Sequence, residues 1–518
     1  MHRGILMPRP AAALPLLILA LVIAGVAAEP EALRTDDASS RSAAAHALGH
    51  NPGHGHHPGQ VCHSWTRGFG CQPPPSVSVW PHPAKMSVGD GPARGVQDLQ
   101  LLCDADHHCD DVLRLAMERY AGIIAGTSTR EGVASGVAAQ PVGSELPTLT
   151  IQVAGGDPIL NATKFLGMDE SYELSIPSSG GAVLTAPTTL GALRGLETFA
   201  QVIDYTRAPP QIAQTPITIA DAPRFPWRGL RLDSSRHFLP LRTILSALDT
   251  MASTKLNVLM WHIVDANSFP LKLDNFPELA DKGSYCPSCV YTSADIREVV
   301  EYARQRGIRV QPEVDVPGHS GWQYGRPDLV ACPTYEAFGG CARALDMTQE
   351  KVYTFLMEFF LEVADLFPEP VLNFCGDEVR FECLDSNPAI REWAAVRNLT
   401  YFELEQYFWT KMNGAGGVIE ALTARGKIVV VAEGSSAAQG SVRLSKFPKG
   451  TIAEIWGGQT LSNGTYEVLS SNPGVNAILG GPYYLDTQSP GESSKNDSVK
   501  HYGCECNNTA AALLRFNN

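Results

Sequence analysis

The sequence is poor in positive charge, with 40 Lys and Arg against 54 Asp and Glu, a formal net charge of −14 and no strongly basic run. Nucleic-acid binding needs clustered Lys and Arg to neutralise phosphates, so that class of protein is excluded. Long apolar runs are missing after the N-terminal segment, and no later stretch is expected to span a bilayer. A hydrophobic fraction of 44% over 518 residues allows ordinary globular cores, and the length predicts two or three domains.

Two patterns that would bind a ligand are absent or weak. No Gly-rich phosphate loop follows the first strand of the α/β region described below, which disfavours an open, doubly wound nucleotide-binding sheet. Six histidines crowd a Gly- and Pro-rich stretch, but no carboxylate or Cys set completes a metal site there at fixed spacing. We interpret that stretch as a flexible linker rather than a metal-binding tract; its histidines are His46, His50, His54, His56, His57 and His63.

The first 28 residues have the pattern of a secretory signal peptide. An apolar run over 11–28 follows two arginines, and small residues at its end predict cleavage before Glu29. An uncleaved membrane anchor is the alternative interpretation. We therefore predict a chain that enters the secretory pathway, with a lysosome, a vacuole or the cell exterior as its destination.

Two further features fit that compartment. The chain has 12 cysteines, and an oxidising environment favours disulfides among them. Five acceptor sequons predict N-glycosylation in surface loops. The acceptor residues are Asn161, Asn398, Asn463, Asn496 and Asn507.

The next two parts of the chain differ in composition. Residues 29–75 are rich in Ala, Gly, Pro, Ser and His without an apolar period, and we predict that they are disordered. Residues 76–220 combine strand-like runs with helical spacing over 107–122 and 188–204, which predicts a small α+β domain without catalytic residues. The strand-like runs are VSVWP, LTIQV, YELSI and AVLTA.

Residues 221–518 alternate short apolar runs with helical segments. Repeated β-then-α units indicate a parallel sheet, and at this length we predict a (β/α)₈ TIM barrel, with an open doubly wound sheet as the alternative. Seven strands are recognisable, and we expect the last strand and its helix to be missing through truncation or alternative splicing. The strand candidates are WRGLRLD, LNVLMWHIVD, IRVQPEVD, VLNFCGDE, KIVVVAE, TIAEIWG and VNAILG, and helices are predicted over 240–254, 293–306, 348–366 and 401–425.

Unusual polar residues follow most of these strands. Barrel enzymes carry their chemistry at the carboxyl ends of the strands. One acidic strand end would be explained by a cap or a salt bridge, but several in succession, mixed with Trp and Tyr, fit the lining of a sugar pocket better. A purely structural role is the alternative for each residue taken alone. The residues at these strand ends are Arg231, Asp233, Arg236, His237, Trp261, His262, Asp265, Glu313, Asp315, His319, Asp377, Glu378, Glu454, Trp456, Tyr483, Tyr484 and Asp486.

Adjacent Asp377 and Glu378 are the most informative pair. Two like charges side by side should raise the pKa of one carboxyl, which would give one ionised group and one proton donor. Ordinary glycosidases place their two carboxyl groups across the scissile bond, roughly 5–9.5 Å apart. Because adjacent residues do not straddle a bond in this way, the pair fits the substrate-assisted exception better.

The most specific part of the sequence consists of four segments, RGLRLDSSRHFLP, LNVLMWHIVDANSFP, GIRVQPEVDVPGHS and CGDEVRFECLDSNP. In this order and spacing they resemble glycoside hydrolase family 20, the β-N-acetylhexosaminidases, and within it the animal lysosomal branch. The resemblance covers roughly residues 76–518. It implies a small first domain, a catalytic barrel, no metal or organic cofactor, glycan substrates with terminal β-linked GlcNAc or GalNAc, and a homodimer.

The resemblance also implies a role for individual residues. Glu378 would be the general acid and then the base, while Asp377 would orient the 2-acetamido group, whose oxygen attacks the anomeric carbon to give an oxazolinium intermediate and net retention. The other implied roles are ring-hydroxyl binding by Arg236, tuning of Glu378 by Asp265 and His319, contact with the acetamido group by Tyr484 and Trp456, substrate contact by Asp486, and a disulfide between Cys332 and Cys383.

Three features depart from the family pattern. Cys375 stands where the family has a Gly before Gly-Asp-Glu, and Val431 and Ala432 precede Glu433 where the family has a Trp. The family's last strand, with its Trp and Glu, is expected to be missing. These departures favour a second hypothesis, a secreted glycan-binding protein built on a catalytically decayed barrel.

A third hypothesis is a metal-dependent barrel hydrolase that uses His262, Asp265, Glu313 and His319. It is the weakest of the three, because these residues do not have a recognisable ligand spacing. We interpret His262 as a core histidine with satisfied hydrogen bonds and leave it outside the predicted site.

Overall fold

The computed structural model describes residues 77–128, 143–155, 167–207, 209–319, 321–334, 343–432, 447–455 and 475–480. The predicted signal peptide 1–28 and disordered segment 29–75 lie outside these residues. So do Glu433, Trp456, Tyr484, Asp486 and the sequons at Asn161, Asn463, Asn496 and Asn507. The sequon at Asn398 lies inside, and its side chain is exposed in a turn.

The first part of the chain forms a mixed six-stranded sheet in the order β1-β9-β6-β7-β5-β3 and a small sheet in the order β4-β2-β8. Period-2 alternation explains the central strands, because every second residue of YELSI is buried. The strands are β1 (Lys85–Gly91), β2 (Arg94–Gly95), β3 (Gln100–Cys103), β4 (Ser144–Glu145), β5 (Thr148–Gly155), β6 (Tyr172–Ile176), β7 (Ala182–Thr188), β8 (Gln211–Ile212) and β9 (Thr215–Asp221), and the helices are α1 (Asp111–Ser128) and α2 (Thr189–Gln201).

One strand predicted in this part is wrong. The run VSVWP at residues 77–81 is irregular, and the first strand begins at Lys85. Pro81 has no N–H to give to a ladder, which explains why its apolar neighbours do not extend the sheet.

The second part is a parallel sheet of seven strands in chain order, and helices connect the first five of these strands. All seven strand candidates are present, and the prediction of a β/α barrel preceded by an α+β domain is confirmed. The strands are β10 (Gly229–Asp233), β11 (Val258–Val264), β12 (Arg309–Val314), β13 (Val371–Asn373), β14 (Ile428–Ala432), β15 (Ile452–Ile455) and β16 (Asn476–Leu479).

The helices of the second part follow the predicted segments closely, with one exception. The segment 401–425 is divided, because Gly416 has a left-handed φ of 73° and a side chain at Gly417 would meet backbone carbonyls. The helices are α3 (Leu241–Ser253), α4 (Pro277–Gly283), α5 (Ser293–Arg304), α6 (Trp322–Gly325), α7 (Glu350–Leu366), α8 (Phe381–Ser386), α9 (Pro388–Val396), α10 (Tyr401–Asn413) and α11 (Val418–Ala424).

The two faces of the parallel sheet differ in polarity. One face packs against the helices in a large apolar cluster that includes Trp261 and Phe359. The opposite face has a small apolar cluster at Val371 and Val430 and several buried polar residues. Successive strand residues point to opposite faces. The buried polar side chains therefore collect on the inner face, below the carboxyl ends of the strands.

No helix among the described residues is both long and apolar enough to cross a membrane.

Candidate active site

The predicted polar residues meet at the carboxyl ends of neighbouring parallel strands. Arg236 follows β10, Asp265 follows β11, His319 follows β12, and Asp377 and Glu378 follow β13. Parallel strands present these ends at one edge of the sheet, which explains how residues so far apart in sequence come together.

Three side chains at this edge, those of Glu378, His319 and Asp265, contact one another in that order. Oε2 of Glu378 lies 3.4 Å from Nε2 of His319, and Nδ1 of the same ring lies 3.4 Å from Oδ1 of Asp265. Asp265 is buried, whereas the Glu378 side chain is 44% exposed. The histidine therefore links a buried carboxylate to one that faces the open end of the sheet.

These contacts set the protonation of all three groups. A hydrogen bond from His319 lowers the pKa of Glu378, against the opposing effect of partial burial. Burial by itself would lower the pKa of His319, but the carboxylate of Asp265 and the bond to Glu378 raise it well above its ordinary value. Burial would likewise raise the pKa of Asp265, but His319 and Arg236 hold it well below its ordinary value.

The loops that carry these side chains use rare backbone conformations. His319 has a φ of 47°, Cys375 of 49° and Glu378 of 50°. Side-chain-bearing residues adopt this left-handed region infrequently and at an energetic cost, and such residues cluster at functional sites. The turn at Glu378 also sends its side chain towards His319, while Asp377 contacts other groups.

Arg236 is held by two carboxylates. Its Nη1 lies 2.6 Å from Oδ2 of Asp233, and its Nη2 lies 2.8 Å from Oδ2 of Asp265. The backbone carbonyl of Arg236 also accepts a hydrogen bond from the hydroxyl of Tyr285 at 2.9 Å. The guanidinium is consequently fixed beside the His319 and Glu378 pair.

Asp377 lies against a buried thiol and a second buried carboxyl. The thiol of Cys375 donates to Oδ1 of Asp377 at 3.3 Å, and the N–H of Gly376 donates to Oδ1 of Asp315 at 2.8 Å. Burial, with the charge of Asp377, raises the pKa of Asp315 well above its ordinary value, and burial with both Asp residues raises the pKa of the Cys375 thiol.

The expectation that one carboxyl of the adjacent pair has a raised pKa is therefore wrong in its assignment. The pKa of Glu378 is lowered, and the carboxyl whose pKa burial and the charge of Asp377 raise is that of Asp315. The physical reason is that adjacency in sequence does not make Asp377 and Glu378 the nearest charges to each other.

The described residues bring together one possible metal-binding group. Single ligand atoms of Asp315, Cys375 and Asp377 all lie within 4.8 Å of one another. The set proposed from sequence for a metal hydrolase behaves differently, because His262, Asp265 and Glu313 are paired with one another. Both ring nitrogens of His262 face carboxylate oxygens, and so do both ring nitrogens of His319, so neither imidazole is a free ligand.

A second ionic group lies on the inner face of the sheet. Arg231 contacts Glu313 at 2.9 Å and also pairs with Glu454, and Nδ2 of Asn373 donates to both of these carboxylates. Burial raises the pKa of Glu454 to about 6, although Arg231 lowers it. His262 joins this group, through Glu313, to Asp265.

Sequence reasoning left His262, Asp315 and Asn373 out of the site. The interpretation of His262 as a core histidine with satisfied hydrogen bonds agrees with its burial, and its ring also bridges Glu313 and Asp265 at 2.6 and 2.9 Å. The spacing of three residues between His262 and Asp265 at a strand end was the signal that could have included it.

Disulfides hold the loops around this edge. Cys332 and Cys383 are joined, with their Cα atoms 5.5 Å apart, which ties the segment after β12 to helix α8. Asn387 reinforces the same connection by donating to the carbonyl of Ala331 at 2.7 Å. The other disulfides in the described part of the chain are Cys103–Cys109 and Cys286–Cys289.

Known proteins share both parts of this architecture. Residues 225–514 match the glycosyl hydrolase family 20 catalytic domain, and residues 79–202 match a domain described as beta-acetyl hexosaminidase like. The chain is 41% identical over 340 residues to mouse beta-hexosaminidase subunit beta, covering 64% of this chain and 60% of that protein. It is 33% identical over 416 residues to beta-hexosaminidase subunit A1 of Dictyostelium discoideum, covering 80% and 72%.

A solved structure gives the same result. The chitobiase of Flavobacterium johnsoniae superposes with a TM-score of 0.65 at 26% identity, covering 80% of this chain and 63% of that one. The chain thus spans about three fifths of the length of the mouse relative.

Fold and site together define the class. A parallel β/α sheet with polar residues at the carboxyl ends of its strands is the architecture of a β/α-barrel enzyme. With a match over more than half of its residues, the chain belongs to glycosyl hydrolase family 20.

Proposed function

We propose that this chain is a β-N-acetylhexosaminidase that removes terminal, non-reducing β-linked GlcNAc or GalNAc from glycans with retention of configuration. The observation that carries the proposal is the contact between Glu378 and His319 beside a separately held Asp377. The family membership supports the same reaction.

Glu378 is the proposed general acid and base. In the free structure its pKa is lowered by His319, so it is mainly ionised near neutral pH. A bound sugar would exclude water from the half-exposed carboxyl, and loss of water favours the neutral form. Glu378 would then hold a proton for the leaving oxygen, and the resulting carboxylate would activate water in the second step.

Asp377 is the proposed partner of the 2-acetamido group. The Asp315 carboxyl and the Cys375 thiol both lie beside it, and burial raises the pKa of each group, which favours their neutral forms. Asp377 can therefore accept the acetamido N–H and stabilise the positive charge of the oxazolinium intermediate, while the acetamido oxygen acts as the nucleophile.

Arg236 is the proposed ligand of ring hydroxyls, and Asp265 and His319 tune Glu378. Fixed ion pairs with Asp233 and Asp265 orient the guanidinium before substrate arrives, which limits the entropy lost on binding. Contacts of Trp456, Tyr484 and Asp486 with the substrate stay predictions, because these residues lie outside the described part of the chain.

The test is hydrolysis of an aryl β-GlcNAc glycoside, followed by proton NMR of the sugar first released. The β-anomer is expected, because two displacements at the anomeric carbon restore its configuration. Efficient hydrolysis of the matching β-glucoside, or initial release of the α-anomer, would contradict the substrate-assisted route. GlcNAc binding without turnover by folded protein would instead favour the glycan-binding hypothesis.

The remaining parts of the proposal concern the whole protein. Entry into the secretory pathway, N-glycosylation, a homodimer and independence from metals and organic cofactors stay predictions. Secreted protein can be checked for an N-terminus at Glu29 and for glycans at the exposed Asn398. Light scattering checks the dimer, and unchanged activity in chelator checks the expected independence from metals.

A further inference from the structure

His262 lies between two carboxylates that belong to different strand ends. Its Nδ1 lies 2.6 Å from Oε1 of Glu313, and its Nε2 lies 2.9 Å from Oδ2 of Asp265. The ring is buried, with only 5% of its surface exposed. Since both ring nitrogens face carboxylate oxygens, both act as donors and the ring is an imidazolium.

Both carboxylate oxygens of Asp265 contact neighbouring hydrogen-bond donors. Oδ2 contacts both His262 and Nη2 of Arg236, the latter at 2.8 Å. Oδ1 contacts Nδ1 of His319 at 3.4 Å and accepts the N–H of Ala266. The Asp265 carboxylate therefore contacts both His262 and His319, and His319 in turn contacts Glu378.

Glu313 anchors His262 from the other side. Its Oε2 accepts Nδ2 of Asn373 at 2.9 Å and pairs with Arg231 at the same distance. Oδ1 of Asn373 accepts the N–H of Cys375 at 2.8 Å, three residues before Glu378. The same glutamate is thus connected both to the His319 side and to the backbone that carries Glu378.

We infer that His262 is a positioning residue for the acid–base group, with Glu313 as its anchor. His262 restrains Asp265, Asp265 orients His319, and His319 holds Glu378 at the reaction centre. This role rests on the proposed function of Glu378, but it adds two residues that touch neither substrate nor reacting atoms.

The charges around His262 support this role. Burial lowers its pKa, but Glu313, Asp233 and Asp265 together raise it to about 10. A pKa of about 10 favours the charged form of the ring near neutral pH. Without that charge, Asp265 would turn towards Arg236, which is its other cationic partner at Oδ2, and His319 would lose its orientation.

The experiment compares two aryl β-GlcNAc substrates, one with a good and one with a poor leaving group. In His262→Gln, kcat for the poor leaving group is expected to fall about 10- to 100-fold, since small displacements of a catalytic group have effects of this size. The loss should be smaller for the good leaving group, which needs less help from an acid, and KM should change little. Glu313→Gln should show the same pattern and replaces His262→Gln if that variant does not fold.

Glu369→Gln is the matched control. Glu369 is a buried carboxylate that pairs with Arg309. Arg309 is the first residue of strand β12, so the pair lies at the end of that strand opposite to the site. The variant should lower stability without altering the ratio of the two kcat values. An equal loss on both substrates in His262→Gln, or no loss, would mean that His262 is merely structural and would overturn the inference.

Failure of the proposed function would be recognised separately. If the folded wild-type chain hydrolyses neither substrate, NMR of isotope-labelled histidine gives an activity-independent readout, with the His319 signal assigned from a His319→Asn variant. His262→Gln should then shift the titration of His319 through the reoriented Asp265. An unchanged His319 titration would overturn the inference.

Discussion

Nε2 of His319 lies 3.4 Å from Oε2 of Glu378, and this contact lowers the pKa of the glutamate in the free protein. The lowered value means that free Glu378 loses its proton at a lower pH than an isolated glutamic acid. Activity that requires the protonated form should therefore decline from low pH upwards, and His319 should set where the decline begins.

His319→Asn tests this relationship with little backbone penalty, because Asn tolerates the left-handed conformation found at this position. The Asn side chain is neutral and shorter than that of His, so Glu378 loses its charged donor and its pKa should rise. The declining limb of kcat/KM should move to higher pH, while the maximum falls. A limb that stays in place would show that His319 does not control Glu378; the pH profile with a poor leaving group is the measurement.

Glu378→Gln should lower turnover of a substrate with a poor leaving group by about 10²- to 10⁴-fold, the usual contribution of a general acid. A good leaving group departs without protonation, so the decrease in turnover should be smaller with such a substrate. Glu382→Gln is the control, because Glu382 is an exposed carboxylate in the adjacent helix α8. Equal losses with both leaving groups in Glu378→Gln would argue against the acid role.

Asp377→Asn should reduce turnover of aryl β-GlcNAc strongly, because an amide stabilises the cationic intermediate less well than a carboxylate. The variant should leave the negligible rate on the matching β-glucoside unchanged, since that sugar has no acetamido group. Steady-state rates on the two substrates are the measurement. A rate on aryl β-GlcNAc close to that of the wild type would contradict the role of Asp377.

The buried ionic group predicts how stability depends on pH. The folded-state pKa of His262 is raised to about 10. Its stabilising contribution is therefore complete below the unfolded pKa of about 6.5 and is lost as pH rises through 10. For Glu454, raised to about 6, the folded state retains the proton longer, so stability also falls as pH rises from about 4.5 to 6.

Denaturant unfolding at several pH values checks both signs. The difference between wild type and His262→Gln should shrink from pH 6.5 to 10, and Glu454→Gln should flatten the change between pH 4.5 and 6. Comparison with each variant is needed because other groups titrate in the same ranges. A wild-type advantage over His262→Gln that grows with rising pH would contradict the assignment.

The thiol of Cys375 should differ in reactivity between the native and the unfolded protein. Cys375 is the free cysteine among the described residues, it is buried, and its pKa is raised by burial and by Asp315 and Asp377. Because the thiolate is the reactive form, Cys375 should resist alkylation in the native protein and react after unfolding. Peptide mass spectrometry after iodoacetamide treatment measures this; rapid native labelling would contradict it.

Much of the architecture could be predicted from local patterns. Short apolar runs followed by helical periods gave all seven strands of the parallel sheet, because strands covered on both faces are apolar throughout. The same pattern of apolar runs predicted that Asp377 and Glu378 lie at the end of β13. Local patterns failed at VSVWP, where Pro81 ends the ladder, and at 401–425, where Gly416 and Gly417 divide a helix.

The sequence by itself determined the family and the order of the strands, and with them the set of polar residues at the carboxyl ends. Only the tertiary structure decided which of those residues meet. In the structure the sequence neighbours have different partners: Asp377 lies beside Cys375 and Asp315, whereas Glu378 contacts His319. The reason is that protonation depends on distance and burial in space, and a left-handed turn at Glu378 outweighs adjacency along the chain.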